Sequence, residues 1–274
     1  MTKPPVCLTI AGLDPSGGAG VIADIKTFSA FGCFAAAAVT SITFQNTTGV
    51  FGAEHQSAEV VRQQVEPVID DYEVVAVKTG MLPTGEVIDE TARLIGRMND
   101  VRLVVDPVVR STSGFDLIDD AALRVLVEKL FPLADIVTPN RPEAERITGR
   151  TINSRSDVEA AAREMQKMGA RNVLIKGGHM ESEQKAIDYL FLGENVHEFE
   201  APFIDTTATH GTGCTLAAAI AANLALGKGL VDAVKIGKDF VTTAIRTAPM
   251  LGHGHSPINI SADYFATGTK TGVR

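Results

Sequence analysis

Residues Thr209–Leu216 read Thr, His, Gly, Thr, Gly, Cys, Thr, Leu and lead into an apolar, alanine-rich run. Glycines at 211 and 213 let the backbone turn tightly and offer its N–H groups to a ligand. A helix beginning there adds unpaired donors and roughly half a positive charge. The segment therefore suits an anion, with the Cys214 thiol aimed into the same space. A thiol at a helix N-terminus is expected to have a lowered pKa and to be reactive. The bland alternative is a small buried residue in a tight turn. If the anion is a phosphoryl group in transfer, Gly211, Thr212, Gly213 and Cys214 stand where a kinase needs donors, and Cys214 sits beside the attacking atom.

Other chemically useful residues recur after short apolar runs. Asp14–Gly20 is a glycine-rich connection into a helix, suited to close backbone approach to a small ligand, with Asp24 one turn further and facing the pocket. The Gly18, Gly20, Ala23 spacing resembles a dinucleotide fingerprint, but the second strand lacks the acidic residue that fingerprint needs. The Gln45 amide offers one acceptor and two donors on a flat group, which fits a heterocycle edge or a loop backbone equally. Met81 fits the face of a flat ring or the core. Asp106 ends a buried strand, where it can reach magnesium, directly or through water, or cap a helix. Asn140 and Glu143 have the spacing of a capping box, and they also fit the shell of a magnesium–phosphate complex. Lys176 closes another buried strand and needs an anionic partner, a nucleotide phosphate or an internal carboxylate.

The elements that position these residues alternate. Predicted strands are 6–11, 36–44, 74–78, 103–105, 136–138, 173–176, 186–192 and 197–201. Predicted helices are 20–31, 58–70, 85–98, 120–131, 143–148, 156–168, 212–226 and 230–248. Continuous apolar strands between helices argue for a buried, mostly parallel sheet with helices on both faces. The last two strands, joined by Gly193–Asn195, read as an antiparallel edge hairpin. Ligands in open α/β sheets sit beyond the strand C-terminal ends, where the residues above cluster.

Composition bounds the rest. The 274 residues show no internal repeat or low-complexity linker, so one domain over 1–274 is expected, with an ordered core near 6–258 and a tail over 259–274. Hydrophobic residues make up 45%, charged residues 21%, and Trp is absent, so the core must be aliphatic. A net charge of -8 argues against nucleic acid or anionic membranes as partners. The three cysteines form no C-x-x-C pair and suggest neither disulfides nor zinc. No signal peptide is evident, and no apolar run reaches the roughly 20 residues a membrane span needs, so a cytoplasmic protein is expected.

Taken together, Ala11–Gly20, Gln45–Thr47, Lys78–Met81, Asp106–Val108, Thr138–Glu143, Lys176–His179, His210–Thr215 and Leu251–Pro257 resemble the hydroxymethylpyrimidine/phosphomethylpyrimidine kinases of the ribokinase-like superfamily. The resemblance implies a three-layer α/β/α fold, ATP and Mg2+, a place in thiamine biosynthesis and a homodimer. It places a pyrimidine alcohol against Gln45, with Gly12, Ala19, Asp24, Met81, Val108 and Cys214 around it. Nucleotide and metal fall near Asp106, Asn140, Glu143 and Lys176, with Asp106 and Glu143 on magnesium, through water if not directly. Three positions depart from the pattern: Ala208 stands where an asparagine is common, and Arg110 and Thr112 where an apolar residue and a lysine are common. The implied reaction is phosphorylation of the alcohol to its monophosphate and then to the pyrophosphate. Rival readings are a pyridoxal-type vitamin kinase, a hydrolase using Cys214 with His210, and a dinucleotide-dependent oxidoreductase.

Overall fold

The computed structural model describes residues 3–111, 114, 116–179 and 185–261. Thr112 and the tail beyond 261 lie outside the described residues. The chain alternates β1 (Val6–Leu13), α1 (Gly20–Ala30), β2 (Phe34–Asn46), β3 (Gly49–His55), α2 (Ala58–Asp71), β4 (Val74–Thr79), α3 (Gly85–Ile95), β5 (Arg102–Val105) and α4 (Asp120–Leu130). It continues through β6 (Ile136–Val137), α5 (Arg141–Thr148), α6 (Arg155–Lys167), β7 (Asn172–His179), β8 (Lys185–Leu192), β9 (Asn195–Pro202), α7 (Thr212–Ala225) and α8 (Leu230–Arg246). One sheet results, in the order β3-β2-β1-β4-β5-β6-β7-β8-β9. Strands β2, β1, β4, β5, β6 and β7 are parallel neighbours, while β3 pairs antiparallel with β2 and the β8–β9 hairpin extends the other edge antiparallel from β7.

Side-chain alternation along each central strand fills two separate cores. Val6, Leu8, Ile10, Val77, Leu103, Val105, Val173 and Ile175 pack with residues of α2 to α6 on one face. Cys7, Ala76, Val104 and Leu174 pack with α1, α7 and α8 on the other. Both faces are covered, which is why the strands read as unbroken apolar runs. Alanine dominates α7, where Ala217–Ala219, Ala221 and Ala222 are wholly buried, so this helix lies close against the sheet. Among the described residues, no helix is long and apolar enough to cross a membrane.

The structure adds one strand and moves several boundaries; β7, for one, runs past Lys176 to His179, so Lys176 lies within the strand and does not close it. Strand β2 runs on to Asn46, so Gln45 belongs to the strand instead of the loop after it. Strand β3, absent from the sequence reading, pairs with it from Ser41↔His55 to Asn46↔Gly49. Its Gly49, Gly52 and Ala53 bury little and Phe51 faces out, so no apolar period marks it. Helix α5 begins at Arg141, not Glu143, because Asn140 is its N-cap.

Candidate active site

In the sheet order, β1 sends the chain first to β2 on one side and then to β4 on the other. That reversal is where open α/β sheets form ligand crevices. A cavity of about 450 Å³ opens there, within the range of small-molecule sites. Gly12, Ala19, Gln45, Met81 and Val108 all line it, as do Asp106, Asn140, Glu143, Lys176 and Gly211–Cys214.

Glycines make its rim. Gly211, the N-cap of α7, has φ +84, and a Cβ there would lie 1.8 Å from the Gly18 carbonyl oxygen. A Cβ at Gly18 would in turn lie 2.4 Å from His210 Cδ2. The loops before α1 and α7 thus interlock, and Asp14 fastens them. Its carboxylate accepts bonds from Ser16 N at 2.8 Å, Ser16 Oγ at 2.7 Å, Gly18 N at 3.2 Å and Ala19 N at 2.9 Å, and it meets His210 Nε2 at 2.7 Å. Burial opposes its charge, but His210 and Ser16 outweigh burial and hold the Asp14 carboxyl below its ordinary range. Sequence reading gave Asp14 no role, because a loop acid leaves no periodic signal.

The start of α7 has no side-chain cap and no acidic residue in its first turn. Thr215 N reaches the Gly211 carbonyl at 2.9 Å, while no described residue accepts the Gly213 or Cys214 amide. Those two donors remain for an anion. A Cβ at Gly213 would lie 3.2 Å from Lys176 Nζ, so glycine there makes room for the cation.

Lys176 Nζ donates to Asp106 Oδ1 at 3.0 Å and lies 4.0 Å from Glu143 Oε2. Thr138 Oγ1 also donates to Asp106 Oδ1, at 3.2 Å. Burial works against the Lys176 charge, but Asp106 and Glu143 hold its pKa above the usual lysine value. Burial, with Asp106 adding, pushes Glu143 up to about 7 against the pull of Lys176. The capping box exists as well: Asn140 N donates to Glu143 Oε2 at 2.7 Å and Glu143 N to Asn140 Oδ1 at 2.8 Å. Both readings of this pair therefore coexist, since the cap holds Glu143 at the cavity wall. The described residues contain no group of three or more His, Cys, Asp or Glu able to hold a metal. Two neighbouring carboxylates nonetheless match magnesium, which keeps waters and takes its remaining oxygens from phosphates.

On the opposite wall Thr43 and Gln45 face inward by strand alternation. The Gln45 side chain makes no hydrogen bond to a described residue. Met81 packs its sulfur against Gly12, where a Cβ would come within 3.0 Å.

Two expectations fail. Asp24 is wholly buried and does not line the cavity; its Oδ2 accepts from Lys78 Nζ at 2.8 Å and from Thr9 Oγ1 at 2.6 Å. Its place in α1 turns it toward the sheet, so it cannot touch a ligand. The Cys214 thiol is not lowered: burial pushes it up to about 11, with Lys78 opposing and Asp24 and Asp106 adding to the rise. Burial is the largest cause of the rise and outweighs the opposing pull of Lys78. Nor is Cys214 activated by His210, whose Nε2 is taken by Asp14. That removes the thiol–imidazole pair a hydrolase needs.

Sequence reading also missed a second lobe, between the β8–β9 edge and α8. Ala186, Pro202, Phe203, Val241, Thr242 and Ile245 line it, with the Lys238 Nζ–Asp188 Oδ2 ion pair at 2.8 Å. The one available hint was an aspartate inside the apolar run Ala186–Leu192. Arg110 stands at the mouth, exposed and paired through Nε with Asp116 Oδ1 at 2.8 Å. Ala208 is wholly buried beneath the loop.

Residues 14–259 match the family model described as phosphomethylpyrimidine kinase. The hydroxymethylpyrimidine/phosphomethylpyrimidine kinase of Bacillus subtilis is 44% identical over 252 residues, 92% of this chain and 93% of the relative. The thiamine biosynthesis bifunctional protein ThiED of Geobacter sulfurreducens is 46% identical over 92% of this chain, which spans 51% of that longer protein. Among solved structures, pyridoxal kinase from Staphylococcus aureus in complex with AMP-PCP and pyridoxal superposes with a TM-score of 0.88 at 31% identity, covering 96% of this chain and 95% of that one. Phosphomethylpyrimidine kinase from Clostridium difficile superposes with a TM-score of 0.77 at 41% identity, covering 88% of this chain and 99% of that one.

Proposed function

The chain belongs to the phosphomethylpyrimidine kinase family and is a phosphotransferase, and on that premise we propose that it transfers the γ-phosphoryl group of ATP to 4-amino-5-hydroxymethyl-2-methylpyrimidine and then to the resulting monophosphate. One observation carries the reading. The free Gly213 and Cys214 amides, the Cys214 thiol and the unpaired Gln45 amide share one cavity with Lys176, Asp106 and Glu143. Gln45 reads the polar edge of the pyrimidine, while Met81, Val108, Gly12 and Ala19 enclose its flat faces. The apolar lobe against α8 takes the nucleotide base. We assign these roles to one kinase domain formed by the whole chain.

Phosphoryl transfer is governed by alignment and charge neutralisation. In the first step the alcohol oxygen bonds to the γ-phosphorus, the bond to the ADP oxygen breaks, and the hydroxyl proton passes to the Cys214 sulfur. The free amides of Gly213 and Cys214 and the Lys176 ammonium bind the equatorial oxygens. Asp106 and Glu143 are the residues that would hold Mg2+, which when bound neutralises phosphate charge. Because the resting thiol is protonated, only its small thiolate fraction acts as base. In the second step the acceptor is a phosphate oxygen already ionised near neutral pH, and no base is required.

The test is ADP release with the alcohol, with its monophosphate, and with pyridoxine, pyridoxal and pyridoxamine, each with magnesium present or withheld. Magnesium-dependent turnover of both pyrimidines supports the reading. Turnover of pyridoxal-type alcohols alone would replace it with the vitamin-kinase alternative, which the S. aureus structure keeps in view.

A further inference from the structure

Lys78 and Asp24 form an ion pair that no solvent reaches, with both side chains at 0% exposure and 2.8 Å between Nζ and Oδ2. Taking two charges out of water is expensive, and well-packed apolar side chains often serve stability as well or better. The pair is not even saturated: Asp24 Oδ1 has no hydrogen-bond partner. Asp24 does not line the cavity, and Lys78 borders its floor but has no exposed side-chain surface to offer a substrate. Stability and ligand contact therefore leave the pair unexplained, and its position supplies what they lack. Lys78 is the penultimate residue of β4, beneath the cavity, with Nζ so close to Gly80 that a Cβ there would lie 2.9 Å from it. Asp24 reaches it from α1, and α7 packs against both elements with Cys214 in its first turn.

We propose that Lys78, held in place by Asp24, is a positioning residue that acts through Cys214: a fixed cation under the cavity floor that favours negative charge on the sulfur. The role in catalysis rests on the kinase reading above, whereas the effect on the sulfur does not. The charged groups facing Cys214 are Lys78 from β4, Asp24 from α1, Asp106 from the end of β5 and Lys176 from β7. Lys78 is the strongest of these that favour the thiolate, and Asp24 opposes it. Asp24 thus has two effects: it anchors the lysine and partly cancels its field. Burial leaves most of the sulfur protonated at rest, and Lys78 raises the thiolate fraction that can receive the hydroxyl proton.

The experiment is alkylation of Cys214 by iodoacetamide from about pH 6 to 10, with the modified cysteine identified by peptide mapping. Cys7 and Cys33 are buried in the core, and peptide mapping separates any reaction at them from reaction at Cys214. Asp24→Asn removes the opposing anion but keeps an amide oxygen to accept from Lys78, whose charge Asp106 still favours, so Cys214 should react about threefold faster or more at a given pH. Asp24→Asn/Lys78→Met removes the whole pair without stranding a buried charge, so Cys214 should react about threefold slower or more. Opposite displacements from the parent protein support the proposal, because loosened packing would move both variants the same way. Displacement in one direction, or none, overturns it. If the double variant does not fold, Asp24→Asn decides alone: faster alkylation supports the proposal, and unchanged or slower alkylation overturns it. First-step kcat should follow the alkylation order while KM for the alcohol stays within about twofold. Opposite alkylation shifts in a protein that phosphorylates neither pyrimidine would refute the kinase reading and leave the positioning role standing.

Discussion

Gly211→Ala should disable phosphoryl transfer by displacing the amides of the α7 N-terminus. The substitution has two costs that the structure separates. The φ of +84 disfavours any side chain by about 1–2 kcal/mol. The new Cβ would also lie 1.8 Å from the Gly18 carbonyl oxygen, with backbone on both sides and no side chain able to rotate away. Opening that contact to about 3 Å moves one loop against the other by more than 1 Å, and a displacement of that size costs on the order of 100-fold in rate. Gly227 supplies the control: its φ is +78, but a Cβ there has nothing within 4 Å. Gly227→Ala should carry the backbone cost alone, a fall in Tm of about 2–4 °C for each kcal/mol, with kcat unchanged. Steady-state ADP release and thermal unfolding of the two variants decide the matter. Gly211→Ala retaining kcat within about threefold of the parent would sink the interlocked-loop account.

Cys214→Ala should lower alcohol phosphorylation by about 10²–10⁴-fold and monophosphate phosphorylation by less than tenfold, measured as separate initial rates; equal losses would remove the base role. With its thiol near 11, the parent's first-step kcat/KM should keep climbing from about pH 8 to 10, above the Glu143 titration, while the second step levels off, and the alanine variant should lose the climb. Glu143 has a folded pKa near 7, above its unfolded value, so it favours the folded state most when protonated and that stability is lost as pH rises toward and through 7. Glu143→Gln keeps an acceptor for the cap and should flatten the fall in Tm between about pH 4.5 and 7. Asp14 has the reverse sign: its lowered carboxyl contributes stability above the unfolded value of 3.8, lost as pH falls below it. Asp14→Asn should cost about 1.5–3 kcal/mol at neutral pH in a denaturant titration, and the difference from the parent should shrink in acid.

What could be read from the sequence was set by whether a residue's role leaves a local pattern. Strands β1, β4, β5 and β7 are buried on both faces, so their apolar runs mark them directly. Asp106 and Gly213 stand at a strand end and a helix start, and Lys176 breaks the apolar run of β7 from within, so each is marked by a change in the local pattern. Strand β3 lacks that contrast, because its outer edge is solvent and its glycines bury nothing. Asp24 was misplaced for a geometric reason. Its position one turn into α1 is visible, but whether that turn faces the cavity or the sheet depends on how α1 packs against β1 and β4. The same gap hid Lys78, which reads as the last residue of a strand until Asp24 is placed beside it. Asp188 and Lys238 are far apart in sequence, and the lobe they share exists only once α8 crosses the β8–β9 hairpin.

A chain carrying a net charge of -8 holds a site suited to polyanions, and the ion pairs explain how. Lys176 is bound to Asp106 and lies near Glu143, and Lys78 is bound to Asp24, so the resting cavity is close to internally neutral. Sequence-wide charge then has little influence at close range, where unpaired amides and a few fixed side chains dominate. Glu143 near 7 is the adjustable member. An arriving anion favours its protonated form, whereas a divalent cation favours its carboxylate. Nucleotide alone should therefore take up protons on binding near neutral pH, and nucleotide with magnesium should take up fewer or release them. Calorimetry in buffers of different ionisation enthalpy measures that difference, and identical proton counts for the two ligands would contradict the role given to Glu143.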